Sequence, residues 1–156
     1  MTPESARWPA ELGAHSEVTF GGKSIGVLGL TFKPDTDDMR EAPSLSLVMG
    51  LQDLGAVVRT HDPVGIGQAR RELPEIEYCS DAYACARGAD AVVIVTEWAQ
   101  FRALDLARLK QEMAQLIIID LRNIYRPDEM ALLGFRYESV GRPSVHHGLI
   151  PASLGP

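Results

Sequence analysis

Cysteine, long apolar runs and excess positive charge are all scarce in this chain, and each scarcity removes a class of function. There are two cysteines in 156 residues, Cys79 and Cys85. They form no CxxC and have no nearby histidine pair, so neither a disulfide-stapled secreted domain nor a metal site is expected. Two such thiols read as small, partly buried residues of a protein in a reducing cytoplasm. No window of eighteen or more apolar residues exists, which excludes a membrane-spanning helix. Fifteen basic residues stand against twenty-one acidic ones, a formal net charge of −6. A nucleic-acid binder needs a basic surface to neutralise phosphates, and that excess is missing. A single phosphorylated small molecule is a different matter, because two or three well-placed cations suffice for it.

Residues 1–20 contain Pro3, Pro9, Glu4, Glu11 and Glu17 and lack a basic start followed by an apolar run. They do not read as a secretory signal, and a poorly ordered leader or linker remnant is expected there. At the other end, residues 143–156 are rich in Pro, Gly and Ser and are expected to form a flexible tail. His146 and His147 fall in that tail. As neighbours they point to opposite sides of an extended chain, so no shared metal is expected.

What remains, residues 21–142, is enough for one domain with a real core. Apolar residues make up 46% of the chain. Ser24 to Leu30, Val57 to Thr60, Ala91 to Thr96 and Leu116 to Asp120 are short apolar runs, the last two β-branched and unbroken. Continuous rather than alternating apolarity means burial on both faces, as in a parallel sheet covered by helices. Ile76 to Tyr78 and Arg136 to Val140 are weaker strands, the second expected at an edge. Helical patterns lie between them. Pro43 to Asp53 opens on proline and closes before Gly55, with Leu47, Leu51 and Leu54 on one face. Ile66 to Glu72 is short and polar. Asp81 to Arg87 has an aspartate cap and Gly88 beyond its end. Asp105 to Ala114 and Pro127 to Leu133 complete the set. Strand–helix alternation of this kind predicts an α/β, doubly wound, Rossmann-like fold, with a mostly parallel sheet and helices on both faces.

In such a sheet, ligands bind beyond the carboxyl ends of the strands. The loop after Leu30 is the richest there. It runs Thr31-Phe32-Lys33-Pro34-Asp35-Thr36-Asp37-Asp38-Met39-Arg40-Glu41-Ala42-Pro43 and leads into a helix N-terminus. That helix end attracts anions and gives a cation no advantage. Lys33 and Arg40 therefore pair with something negative, either the local Asp35, Asp37, Asp38 and Glu41 or a ligand phosphate. Arg122, in Asp120-Leu121-Arg122-Asn123, is the second candidate. Its guanidinium either forks onto a phosphate or forms an ion pair with Asp120 or Asp128. Arg142 is a weaker third cation. Glu97 is a candidate acceptor for a sugar hydroxyl, and Trp98 reads as a cover over the core. Gly26-Val27-Leu28-Gly29 is not the full GxGxxG fingerprint of a dinucleotide site.

The segment from Gly29 to Ser44 resembles the signature of the UDP-binding domain in the UDP-glucose and GDP-mannose dehydrogenase family. The likeness continues through His61-Asp62-Pro63, Gly88 to Trp98, Asp120 to Tyr125 and Gly141-Arg142, covering roughly Gly22 to Arg142. The pairing of Thr96-Glu97-Trp98 with Asp120-Leu121-Arg122-Asn123 leans toward the bacterial UDP-glucose branch. The resemblance implies a UDP-sugar as partner, with Phe32, Lys33 and Arg122 gripping the nucleotide-sugar and Arg40 reaching the cofactor. It also implies NAD, bound mainly by an amino-terminal domain, a central dimerising segment and a homo-oligomeric parent enzyme in the cytoplasm. That enzyme oxidises the sugar 6-hydroxyl to a carboxylate through a cysteine-bound intermediate. Neither Cys79 nor Cys85 sits in the setting of the family's nucleophile, so no catalytic residue is assigned and this chain alone is expected to be inactive. His61 stands where the family more often has tyrosine, at an expected loop edge. A stand-alone nucleotide-binding, regulatory or interaction module is the alternative reading, as is a domain for UDP-N-acetylhexosamine or GDP-mannose.

Overall fold

The structure, a computed structural model, describes residues 21–31 and 43–145. The expected leader, and His146 and His147, lie outside the described residues. Six strands form one sheet: β1 (Ser24–Leu28), β2 (Val57–His61), β3 (Glu77–Tyr78), β4 (Ala91–Ile94), β5 (Ile117–Asp120) and β6 (Arg136–Ser139). Helices α1 (Pro43–Asp53), α2 (Ile66–Glu72), α3 (Ala82–Ala86), α4 (Ala99–Arg102), α5 (Leu106–Glu112) and α6 (Pro127–Leu132) connect them. The spatial order is β3-β2-β1-β4-β5-β6, and every strand pairing is parallel. The doubly wound, Rossmann-like reading of the sequence holds.

The unbroken apolarity of the central strands has its reason in two cores, one on each face of the sheet. Val92, Ile94 and Ile118 point to the face covered by α3, α5 and α6, where they meet Cys85, Leu109, Met130, Phe101 and Tyr137. Ala91, Val93 and Ile119 point the other way, onto Leu47, Val48 and Leu51 of α1. Each large side chain fully removed from water contributes roughly 1.5–3 kcal/mol, so these two layers account for most of the driving force. The helix on β1 sits close because residue 26 is glycine. A Cβ there would lie 3.0 Å from the Cys85 carbonyl oxygen and 3.2 Å from its sulfur.

Caps fall where short polar side chains precede apolar runs. Asp81 Oδ1 accepts from the Ala84 N–H at 2.7 Å, and Asp105 Oδ1 from the Arg108 N–H at 3.2 Å. Four expectations need correction. Leu54 lies past the end of α1 and is exposed, because the helix stops at Asp53 before its face turns inward again. The single turn α4, over Ala99–Arg102, is too short to show helical periodicity and was not foreseen. His61 is not at a loop edge; it ends β2, is buried, and its Nδ1 donates to the Cys79 carbonyl at 2.9 Å. The tail does not begin at Pro143: Val145 is fully buried and bridges antiparallel to Tyr137.

Candidate functional site

The strand order reverses direction at β1, which has β2 on one side and β4 on the other. Crevices at such switch points, outside the carboxyl ends of the strands, are where open parallel sheets take ligands. The loops after β1 and β4 meet closely there. Gly29 has φ +96°, and a Cβ on it would lie 2.6 Å from the Cβ of Thr96. Only glycine permits both the backbone and the contact. Thr96 Oγ1 then donates to the Thr31 carbonyl at 2.8 Å, and the Val95 N–H to the Leu28 carbonyl at 2.9 Å.

A buried aspartate ties this edge together. Asp62 follows β2 and is 1% exposed. Its Oδ2 accepts from the N–H groups of Leu30 (2.8 Å) and Thr31 (3.1 Å), from Thr31 Oγ1 (3.3 Å) and from Trp98 Nε1 (3.3 Å). Its Oδ1 accepts from the N–H groups of Val64 (2.9 Å) and Gly65 (2.6 Å). One carboxylate thus holds the loops after β1, β2 and β4 in a single arrangement. Donors of this number and geometry offset the cost of burying the charge. Sequence reasoning noted Asp62-Pro63 within a motif but gave Asp62 no role. The available signal was an aspartate at the carboxyl end of a parallel strand, where backbone N–H groups of the turning loops need acceptors.

From Thr31 the chain runs to α1, and Ser44 Oγ at the start of that helix donates back to the Leu30 carbonyl at 2.5 Å. The described residues on either side of 32–42, Thr31 and Ser44, therefore both stand at the crevice. Phe32, Lys33 and Arg40, with Asp35, Asp37, Asp38 and Glu41, lie on that segment, outside the described residues.

Arg122 is the candidate that the structure describes. It follows β5, and its backbone N–H donates to Asp120 Oδ1 at 2.9 Å. Neither foreseen ion pair forms. Asp120 spends its carboxylate on backbone and hydroxyl donors, and Asp128 lies 3.5 Å from Arg126. The Arg122 side chain instead crosses to the β4 loop. Its Nε donates to the Val95 carbonyl at 2.7 Å and lies 3.6 Å from Glu97 Oε2. The guanidinium is thus oriented at its inner nitrogen, while among the described residues neither Nη atom has a hydrogen-bond partner. The side chain is 32% exposed. A half-buried, oriented guanidinium with its fork unspent suits a planar anion such as a phosphate. Glu97 is engaged by Arg122, and Trp98 both covers the core and donates to Asp62.

Arg142 is absorbed by the fold. It donates to Ser139 Oγ (2.9 Å), the Tyr125 carbonyl (3.2 Å) and Tyr137 Oη (2.9 Å). Tyr137 in turn donates to Asp120 Oδ2 at 2.6 Å. Burial first, then the hydrogen bond to Asp120 and its negative charge, push the Tyr137 hydroxyl well above its ordinary value. Tyr125 is raised in the same direction, again mainly by burial. Asn123 adopts φ 56° and makes paired 2.9 Å bonds with the backbone of Val140, fixing the loop that carries Arg122. Among the described residues no group of three or more metal-ligating side chains exists, and no helix is long and apolar enough to cross a membrane.

Comparison with known proteins agrees with this geometry. Residues 26–127 match the family model of the UDP-glucose/GDP-mannose dehydrogenase family, UDP binding domain. A UDP-glucose 6-dehydrogenase of Rhizobium meliloti (strain 1021) is 54% identical over 122 residues, covering 78% of this chain and 28% of that protein. A UDP-glucose 6-dehydrogenase of Pseudomonas aeruginosa is 44% identical over 132 residues, covering 81% and 29%. Among solved structures, a UDP-glucose dehydrogenase from Pyrobaculum islandicum superposes with TM-score 0.71 at 30% identity, covering 86% of this chain and 29% of that one. An NDP-N-acetyl-D-galactosaminuronic acid dehydrogenase from Methanosarcina mazei superposes with TM-score 0.78 at 27% identity, covering 95% and 30%. The chain spans under a third of the length of each of these relatives.

Proposed function

The chain belongs to the UDP-glucose/GDP-mannose dehydrogenase family, and on that premise we propose that its carboxyl sheet edge binds the UDP part of UDP-glucose for an NAD-dependent oxidation to UDP-glucuronate. The observation that carries the reading is Arg122, held at Nε by the Val95 carbonyl beside the β4 loop, with no partner for its Nη atoms among the described residues. A diphosphate is the group this fork fits. In this reading Lys33 adds a second positive charge, and Phe32 packs against the nucleotide-sugar. Asp62 keeps the β1 loop in place, so that the segment carrying Phe32 and Lys33 starts from a fixed point. Pre-oriented cations bind better than mobile ones, because less freedom is lost on binding.

NAD does not fit as a ligand held mainly by this chain. The turn after β1 lacks the GxGxxG pattern, and the space above Gly29 is filled by Thr96. A bound pyrophosphate needs that backbone approach open. The NAD-binding domain, the nucleophilic thiol and the dimerising segment belong to the rest of the parent enzyme in this reading. In this reading Arg40 is assigned to the cofactor, as the family resemblance implies. The homo-oligomeric parent, its cytoplasmic location and its place in polysaccharide precursor synthesis are parts of the same proposal.

The test is a titration of UDP and UDP-glucose into the chain, followed by thermal unfolding, with Lys33→Ala and Arg122→Ala for comparison. Ligand at a hundredfold its dissociation constant adds roughly 2.7 kcal/mol, about 5–10 °C in midpoint for a domain of this size. A shift with UDP that either substitution reduces is expected. A shift unchanged in both variants places the nucleotide elsewhere. A preference for UDP-N-acetylglucosamine or GDP over UDP-glucose and UDP overturns the assignment of the ligand.

A further inference from the structure

Asp62, Asp120 and Glu97 stand at the carboxyl ends of β2, β5 and β4, and the fold uses only the first two. Asp62 and Asp120 are buried and accept from several N–H and hydroxyl groups. The Glu97 side chain is 30% exposed, and its carboxylate accepts no hydrogen bond among the described residues. What it has is a charge contact, 3.6 Å from Oε2 to Arg122 Nε. That nitrogen carries a single N–H, already donated to the Val95 carbonyl at 2.7 Å. The carbonyl, not the carboxylate, therefore sets how the guanidinium lies.

The neighbours of Glu97 keep it there. Thr96 is fully buried and donates to the Thr31 carbonyl at 2.8 Å. Trp98 is buried and donates from Nε1 to Asp62 at 3.3 Å. Residue 97 thus lies between two anchored side chains at the switch point, and its negative charge is held beside Arg122. The carboxylate lowers the positive potential that a phosphate meets at the guanidinium, and it does so without being needed to aim that group.

We propose that Glu97 is a specificity-determining residue that limits the charge the crevice accepts, favouring a nucleotide-sugar over a free nucleoside di- or triphosphate. The inference rests on the reading that the Arg122 edge takes the diphosphate. A sugar ester on the terminal phosphate removes one ionisable oxygen. At pH 8 a UDP-sugar carries roughly two negative charges, UDP about three and UTP about four. Arg122 attracts all of them, and most strongly those with the most charge. Glu97 repels them in the same order and so flattens the preference for free nucleotide. Specificity is a difference of affinities, and a repulsive group placed against the competitor supplies it. At a separation of about 8 Å and an effective dielectric between about 40 and 80, one extra unit of charge changes affinity by roughly two- to sixfold. The sequence suggested instead that Glu97 accepts a sugar hydroxyl. The two roles differ in sign, because losing a hydroxyl acceptor weakens binding, whereas losing a repulsive charge tightens it.

The experiment titrates UDP-glucose, UDP and UTP calorimetrically into the full chain at pH 8 and low salt, without divalent cations. It compares the unsubstituted chain with Glu97→Gln, which removes the charge and keeps the shape, and Glu97→Ala, which removes the acceptor as well. Both substitutions are expected to tighten UDP relative to UDP-glucose by roughly two- to sixfold, and UTP by more. The gain should shrink as added salt screens the carboxylate, which a purely structural role would not do. Weaker binding of all three ligands, or an equal change for all three, would overturn the proposal and leave UDP at this edge. No UDP binding by the unsubstituted chain, or binding that Arg122→Ala leaves unchanged, would overturn the proposed site and this inference together.

Discussion

Two buried aspartates stand at the same edge of the sheet, and they do different work. Asp62, after β2, and Asp120, after β5, are both almost fully buried. Each accepts from backbone N–H groups and from one aromatic donor, Trp98 Nε1 for Asp62 and the Tyr137 hydroxyl for Asp120. Asp120 serves its own neighbourhood. Its N–H donors are Arg122, Ile124 and Tyr125, all in the loop that follows it. Asp62 instead gathers loops that are distant in sequence, from β1, β2 and β4, across the switch point. One carboxylate shapes a loop; the other assembles a crevice. Similar hydrogen-bond chemistry thus serves a local or a global purpose according to where the partners lie along the chain.

Substitutions separate the two roles. Asp62→Ala orphans four backbone N–H groups and the indole N–H together, and is expected to cost at least about 3 kcal/mol and to abolish UDP binding. Urea unfolding and a UDP titration check this; a loss equal to that of Asp120→Ala would erase the distinction. Asp120→Ala is expected to cost about 2–3 kcal/mol, since three N–H groups and one hydroxyl lose their acceptor. It should weaken UDP binding only through the Arg122 loop. Tyr137→Phe removes the hydroxyl that joins Asp120 to Arg142 and is expected to cost roughly 1–2 kcal/mol in chemical denaturation. Arg122→Ala is expected to change stability least, by under about 1 kcal/mol, because its side chain is partly exposed and its ion pair screened. Its effect should appear in UDP affinity instead.

The tyrosines add a pH test of the Asp120 side. The Tyr137 hydroxyl is raised above its ordinary value of 10.0. Its contribution is complete below that value, where both folded and unfolded chains are protonated. Above it the unfolded chain ionises first, so stability falls as pH rises. Urea midpoints measured between about pH 9 and 11 should decline, and more gently in Tyr137→Phe. Tyr125, also raised, leaves part of the decline in place.

The same contrast explains what the sequence disclosed. The central strands were legible because burial on both faces writes an unbroken apolar run, as in Val92-Val93-Ile94 and Ile117-Ile118-Ile119. The caps at Asp81 and Asp105 were legible because their partners are three residues away. Asp120 has equally near partners, yet its ion pair with Arg122 was anticipated and its backbone role was not. Asp62 was silent, since its partners include residues up to 36 positions distant. Arg122 was found by its place after a strand, but the carbonyl that orients it belongs to the neighbouring strand's loop. Local grammar shows in sequence; pairings set by the order of strands do not.

In the proposed function UDP occupies the carboxyl edge assembled by Asp62 and flanked by Arg122. Hydrogen–deuterium exchange of the chain with and without saturating UDP tests it most directly. The expected result is slowed exchange in residues 29–45, 95–98 and 121–125, with the amino-terminal edge of the sheet unchanged. Protection confined to that opposite edge, or none anywhere at a UDP concentration that shifts the melting midpoint, would contradict it.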